Sequence, residues 1–220
     1  MVYILQIRIF IIRLIYGKYS WEYISFFKEN NLRPDVKSCL KDHYISHFLP
    51  FSAKVSNPIV YKTKEKIVFS KMPFNTRFKD SEIKKMEPDT YSVYKAGEDL
   101  ISVYGYLSTA FGKRNKEFYF FLNNHFVMGE FVFAEVQNRN IEPIFAKLFE
   151  KYRLTNIPER DNFYIVDDFG SKMYILNDGF SLMFTYYNPN TRENAELVER
   201  WFEYKPIAVL DEDEEFTPEL

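Results

Sequence analysis

The chain has little cysteine and little glycine, and each of these shortages excludes one class of protein as an interpretation. Cys39 is the only cysteine in 220 residues, so no intrachain disulfide can form and stability must come from packing. Seven glycines and ten prolines are too few for a low-complexity chain. Gly97, Gly105 and Gly112 are isolated, so no glycine-rich phosphate loop is present. The sequence therefore predicts a folded domain without a nucleotide cofactor.

A concentrated positive charge is also missing. The net charge is −2, but residues 211–220 hold six acids and no base. Taking those six from the 31 acids leaves 25 against 29 bases, a charge of +4 spread over residues 1–210. A nucleic-acid footprint needs a denser basic stripe than this. We interpret residues 211–220 as a solvated acidic tail, with an interaction tail or an intramolecular mask over basic surface as the alternative.

Aromatic residues are abundant. The 23 Phe, 17 Tyr and 2 Trp make up 19% of the chain, whereas the hydrophobic and charged fractions, 46% and 27%, are ordinary. Each ring buries about 150–250 Å², so these residues can build a large core. They can equally build a protein interface, since Tyr, Trp and Phe dominate binding hot spots.

Residues 2–16, VYILQIRIFIIRLIY, form a strongly apolar segment interrupted by Gln6, Arg8 and Arg13. As a helix it would span about 22 Å, less than the ~30 Å of a hydrocarbon core, and it lacks a small-residue cleavage site. Three interpretations stay open: a buried strand or helix, a membrane-associating or uncleaved export segment, or a misassigned start codon. The sequence leaves the compartment open between the cytoplasm and the cell envelope.

The remainder of residues 1–58 is predicted to be a helical subdomain. Ser20 is placed to cap a helix over residues 19–30. Pro34 opens a second helix that runs to about Phe48, and residues 51–58 connect it to the next domain.

Residues 59–210 show a strand–turn–strand–helix pattern. One unit combines strands at 118–122 and 126–136 with a helix at 141–152, and another combines strands at 172–176 and 180–187 with a helix at 192–204. The Asn123-Asn124 and Asn177-Asp178-Gly179 turns suit tight hairpins, and Asn140 and Asn190 stand where N-caps belong. We interpret Ile59–Met86 as a worn third copy, with a hairpin of 59–61 and 67–69 across Lys62–Lys66 and a short helix from Ser81. The predicted fold is α+β, an antiparallel sheet built from hairpin–helix units with helices on one face.

Three stretches carry a family resemblance: IVFSKMPFNTRFKDSEIKKM, FYFFLNNHFVMGEFVF and IEPIFAKLFEKY. Over about residues 59–204 the chain resembles small bacterial cell-envelope α+β modules of the outer-membrane assembly lipoprotein and β-lactamase inhibitor protein type. The resemblance implies a binding or scaffolding protein of the envelope. The chain departs from it before Cys39, where Val36-Lys37-Ser38 stands in place of a lipoprotein motif.

Cys39, His43 and His47 form the best metal-like pattern. Residues four apart share a helix face, so either neighbouring pair could chelate an ion, although all three span about 12 Å and cannot. No HExxH glutamate is present. The residues equally suit a position beside the buried face of the predicted helix, and we name no cofactor.

No catalytic residue is assigned. His125 with Cys39 and Asp167 or Asp168 could make a nucleophilic set, but no nucleophile-elbow sequence occurs and His125 follows the Asn123-Asn124 turn. Adjacent strand residues face opposite ways, so Asp167-Asp168 is interpreted as a solvated turn.

Two basic segments, Lys62–Lys66 and a predicted loop at Gly112–Lys116, could combine with nearby aromatic residues to stack nucleic-acid bases. Those aromatic residues are Tyr104, Tyr106, Tyr119 and Phe121. The same alternation suits a sheet packed against helices.

Three functions follow from these patterns. We expect a non-enzymatic protein-binding or scaffolding module that uses an aromatic sheet face (Tyr104, Tyr106, Tyr119 and Phe121) or loop tips. The alternatives are a metal-binding protein or enzyme centred on Cys39, His43 and His47, and a single-stranded nucleic-acid binder.

Overall fold

The structure is a computed structural model, and it describes residues 2–32, 59–96, 98–134, 138–155, 162–177, 179 and 181–188. Three α-helices lie in these ranges: α1 (Val2–Tyr16), α2 (Trp21–Glu29) and α3 (Asn138–Tyr152). Two short 3₁₀ helices cover Phe78–Asp80 and Glu82–Lys85.

Eight strands within these ranges form one sheet. They are β1 (Ile59–Thr63), β2 (Thr90–Ala96), β3 (Asp99–Ala110), β4 (Lys113–Leu122), β5 (His125–Ala134), β6 (Asn162–Asp167), β7 (Lys172–Asn177) and β8 (Ser181–Tyr187). Their order is β1-β6-β7-β8-β5-β4-β3-β2. All neighbours pair antiparallel except β1 and β6, which run parallel from Ile59 opposite Phe163 to Thr63 opposite Asp167. The α+β class is therefore confirmed, and the prediction of a purely antiparallel sheet is wrong.

The local turn chemistry produces the predicted hairpin between β4 and β5. Asn123 and Asn124 both adopt positive φ, 45° and 66°, which joins strands with a two-residue turn. The β3–β4 turn is tighter than predicted, since it consists of Phe111 and Gly112. Lys113 already begins β4, so the predicted basic loop at 112–116 is wrong.

The predicted hairpin of 59–61 with 67–69 is also wrong, and with it the third hairpin–helix copy. β1 pairs with β6 instead, and the Ile67 backbone N–H donates to the Asp167 carboxylate at 2.7 Å. Phe69 makes only an isolated bridge to Met72. The chain therefore leaves the sheet after Thr63 rather than turning back into it as a hairpin.

Two further differences concern a strand and the start of a helix. β2 was not predicted, and α3 begins at Asn138, so Asn140 lies inside the helix rather than at its cap. The predicted helices at 34–48 and 192–204, the Asn190 cap and the acidic tail at 211–220 lie outside the described residues.

The two faces of the sheet carry separate apolar clusters. The first face packs on buried side chains of α2 and α3, among them Phe27, Leu148 and Phe149. Because successive strand residues alternate between faces, Val103 and Phe120 point to the second face, where they join a smaller cluster with Tyr174 and others. The first face is the main core, and the described helices contribute only to it.

The centre of this core needs a glycine. A Cβ on Gly129 would overlap the Phe69 ring, with Cε1 only 2.6 Å away. Phe69 is fully buried and meets Tyr119, Phe131 and Tyr186 at centroid distances of 5.0, 4.7 and 5.3 Å. The segment after β1 is thus held in place by the Phe69 ring, which packs directly against the backbone of Gly129.

Candidate functional site

The candidate site lies next to α2, and the first residue of α2 is determined by the N-cap Ser20. Ser20 takes an extended conformation, and its hydroxyl accepts the Tyr23 backbone N–H at 3.1 Å, which caps the helix. Tyr23, Ile24 and Phe27 are buried against the first face of the sheet. One side of α2 is therefore locked into the core.

The linker before α2 is tied to the edge of the sheet. The Tyr91 hydroxyl of β2 donates to the Tyr19 carbonyl, and the two rings meet edge-on at 4.9 Å. Lys18 Nζ pairs with Glu87 Oε1 at 3.2 Å. These contacts fix the point from which α1 leaves the domain.

α1 ends just before a glycine and contacts the neighbouring helix α2. Gly17 has φ of +91°, a conformation that favours glycine, and its N–H donates to the Arg13 carbonyl at 3.0 Å. Ile9 and Ile12 are partly buried and pack on the core cluster. The helix thus has a defined inner side.

The opposite side of α1 is apolar and exposed, and we call it the outward face. At 3.6 residues per turn its side chains fall within an arc of about 140° centred opposite Ile9 and Ile12. Their relative exposures run from 45% to 82%. The outward face consists of Tyr3, Ile4, Ile7, Phe10, Ile11, Leu14 and Ile15.

The concentration of these side chains distinguishes α1 from the rest of the described surface. Of the twelve large hydrophobic side chains exposed in the described residues, eight lie in α1; the others are Val60, Met86, Leu107 and Phe169, each in a different element or turn. Single exposed hydrophobic residues are ordinary, whereas a contiguous patch marks a contact surface.

The charges of α1 are all positive. Residues 2–16 contain Arg8 and Arg13 and no acid. On the helix, Arg8 borders one edge of the outward face, and Gln6 and Arg13 lie beyond the other edge. Arg8 is exposed.

None of the helices in the described residues is both long enough and apolar enough to cross a membrane.

The sequence did not identify this surface, although the signal was present. The spacing of Ile4, Ile7, Ile11 and Leu14, three and four residues apart, is that of a helical stripe. Because apolar residues occur around the whole circumference of this helix, the sequence does not indicate which side packs on the domain. The interpretation of 2–16 as a buried strand or helix is therefore wrong for most of its side chains, since the segment is a helix docked by one side.

The predicted aromatic sheet face is brought together in the structure, but inside the core. Tyr104 stacks on Phe78 at 4.8 Å, and Phe121 meets the same ring edge-on at 5.2 Å. Tyr106 and Tyr119 meet at 5.8 Å. All four of Tyr104, Tyr106, Tyr119 and Phe121 are less than 10% exposed, and burial raises the pKa of the three tyrosine hydroxyls. They cannot by themselves supply an exposed binding face.

The two predicted basic segments lie far apart. Lys62 is in β1, and Lys113 and Arg114 are in β4, five strand positions away, which corresponds to about 24 Å. The aromatic rings that were to stack bases between them are buried. The arrangement gives no shared basic groove with stacking rings.

The candidate catalytic carboxylates play different roles. Asp167 is buried, and its carboxylate accepts backbone N–H groups from Ile67, Phe169 and Ser171 at 2.7, 2.9 and 2.8 Å. Asp168 is exposed in the same turn. His125 Nδ1 lies 3.1 Å from the Asn123 carbonyl. Asp167 therefore organises a turn, and the interpretation of Asp167-Asp168 as a solvated turn is correct only for Asp168.

Cys39, His43 and His47 lie outside the described residues, so the metal hypothesis stays a prediction. Within the ranges that the structure covers, no three His, Cys, Asp or Glu residues are grouped closely enough to hold an ion.

One buried acid was missed by sequence reasoning. Glu130, in the middle of β5, is fully buried on the second face between its ladder partners Phe118 and Thr185. The Thr185 hydroxyl donates to Oε1 at 3.1 Å, and Oε2 has no hydrogen-bond partner among the described residues. Burial raises the pKa of the Glu130 carboxyl from 4.5 to about 8, and the Thr185 bond opposes this only in part. A single acid in the apolar run HFVMGEFVFA was the signal.

No protein-family model, curated protein or solved structure matches this chain. The resemblance to envelope modules therefore stays a prediction.

Proposed function

We propose that the protein is a non-enzymatic binding module that attaches to its target through the outward face of α1. The observation that supports this is the concentration of seven exposed apolar side chains on one side of one helix. Leaving such a patch in water is unfavourable by roughly 25 cal/mol for each Å² of apolar surface, and a contact removes that cost.

The rest of the domain suits a scaffold. A sheet of eight strands in the described residues carries packed aromatic rings on its first face, and α2 and the inner side of α1 pack on the same core cluster. The outward face is therefore presented on a rigid element, which lowers the entropy lost when it binds. We therefore still propose a binding function, as expected from the sequence, but we assign it to the outward face of α1 instead of the aromatic sheet face.

The test compares the attachment of variants in the cells that produce the protein. Ile7→Glu places a charge at the centre of the outward face, and Leu107→Glu places one at an exposed apolar position of β3, far from α1 in sequence. The full-length wild type is expected to sediment with a cellular fraction or a large complex. The Ile7→Glu variant is expected to bind that fraction or complex about tenfold more weakly and to appear mostly in the supernatant.

Leu107→Glu should behave as the wild type because Leu107 is outside the contact surface. If the wild type runs as a free monomer in every fraction, or if both variants release it equally, the proposed function is wrong. Thermal melting of the purified variants checks that Ile7→Glu remains folded, as we expect for a substitution at an exposed position.

A further inference from the structure

We infer that the target of the outward face is an anionic lipid surface, on which α1 lies in the plane of the interface; this inference rests on the proposed function. The contact would place the seven apolar side chains at the boundary between headgroups and acyl chains, with Arg8 at headgroup level. Three features of α1 support it: its orientation, the composition of its outward face and its charge.

The first feature is orientation. Ile9 and Ile12 hold the inner side of α1 on the protein core, so only the outward face is available to a surface. A helix held along one side presents its length parallel to whatever it touches. That is the geometry of an interfacial helix, whose apolar face enters the boundary region by about 5–10 Å.

The second feature is the composition of the outward face. Ile4, Ile7, Ile11 and Leu14 form its centre, and Tyr3 and Phe10 lie at one side. Large aliphatic residues partition into acyl chains, and aromatic rings favour the interface itself. The exposure of Phe10, 65%, is high enough for its ring to enter without any change in the protein.

The third feature is charge, and it separates a lipid surface from a second copy of the chain. α1 carries two arginines and no acid. Two outward faces brought together would place the Arg8 cation of each copy at the edge of an apolar contact, with no acid of α1 in the contact to compensate. Anionic headgroups complement the same charges, with a contribution of about 1 kcal/mol for each basic residue near the surface.

The experiment is vesicle flotation of the purified full-length chain. Vesicles of phosphatidylcholine alone are compared with vesicles of equal parts phosphatidylcholine and phosphatidylglycerol. Wild type is expected to float with the mixed vesicles and about tenfold less with the neutral ones. Ile7→Glu should reduce flotation about tenfold or more, Leu107→Glu should leave it unchanged, and Arg8→Gln should reduce it severalfold.

Salt gives a further readout, because raising ionic strength shortens the Debye length and weakens the attraction to headgroups. Flotation of the wild type should therefore fall with added salt, and the fall should be smaller for Arg8→Gln. Equal binding to neutral and mixed vesicles would overturn the anionic preference.

The remaining outcomes separate this inference from the proposed function. If Ile7→Glu is released in cells but the wild type does not float with vesicles, the contact is with a protein and the lipid inference fails alone. A concentration-dependent dimer that Ile7→Glu abolishes, without flotation, assigns the face to a second copy and also overturns the inference. If neither release nor flotation depends on Ile7, both proposals fail.

Discussion

At the scale of single residues, Glu130 is the side chain least expected at its position. Its carboxyl is completely buried on the second face of the sheet, beside Phe118 and Met128, and accepts one hydrogen bond from Thr185. An ionised carboxylate in such surroundings loses its hydration without gaining a cation. Burial therefore raises the pKa of the Glu130 carboxyl to about 8 and favours the protonated acid in the folded chain at neutral pH.

Glu130 makes stability depend on pH in a defined direction. The pKa of its carboxyl is about 8 in the folded chain and 4.5 as the ordinary value. Between these values the unfolded chain gives up the proton and the folded chain retains it. The contribution of Glu130 is therefore fully present below pH 4.5 and is lost as pH rises toward 8, by up to roughly 1 kcal/mol for each pH unit.

Glu130→Gln tests this, since the amide is similar in shape and does not titrate. Unfolding in urea is measured from pH 5 to pH 9 for both chains, so that all other groups cancel in the difference. We expect the wild type to lose stability relative to Glu130→Gln across this range. Parallel curves would show that Glu130 ionises normally in the folded chain.

At the scale of elements, Asp167 joins two segments that are distant in sequence. Its carboxylate closes the turn between β6 and β7 through Phe169 and Ser171, and it also takes the N–H of Ile67, 100 residues earlier. This fixes the exit of β1 beside its parallel partner. A side chain with three backbone donors is expected to be worth more to the fold than an ordinary surface acid.

Asp167→Ala should lower the free energy of unfolding by about 2–4 kcal/mol, because it leaves buried N–H groups without an acceptor. Asp168→Ala is the matched control, one residue away and exposed, and it should change stability by less than about 0.5 kcal/mol. Urea midpoints of the two variants make the comparison. Equal losses would contradict the role assigned to Asp167.

The elements that the sequence predicts well are those with local determinants. The β4–β5 hairpin follows from Asn123-Asn124, and α2 follows from Ser20 and the apolar residues after it. β1 has no such local signal, since its partner β6 begins about a hundred residues later. Residues 59–69 look like a hairpin only because nothing nearby reveals that competing pairing, and the parallel pair was missed for this reason.

At the scale of the whole molecule, the candidate site depends on tertiary contacts that composition cannot supply. The aromatic excess predicted either a core or an interface, and the packing of Phe78 on Tyr104 and Phe121 decides for the core at these residues. The apolar segment 2–16 could have been buried. Its outward face exists because only one side of α1, with Ile9 and Ile12, packs on the core.

Because α1 contacts the core by one side only, we predict that the rest of the domain folds without it. Residues 2–16 contribute only partly buried side chains such as Ile9 and Ile12 to the core, whereas α2 keeps its own cap and buried residues. A chain that begins at Gly17 should therefore fold, with the free energy of unfolding lower by about 1–3 kcal/mol, and should be more soluble.

Circular dichroism melting and vesicle flotation check the two parts of this prediction separately. The shortened chain should melt cooperatively and fail to float, and full-length Ile7→Glu/Leu14→Glu should also fail to float while it retains the Ile9 and Ile12 contacts and nearly the full stability of the wild type. Because the double variant keeps α1 in place, it distinguishes the loss of a surface from the loss of packing. If the shortened chain does not fold, α1 is a required part of the core, and the prediction that α1 serves mainly as a contact surface is wrong.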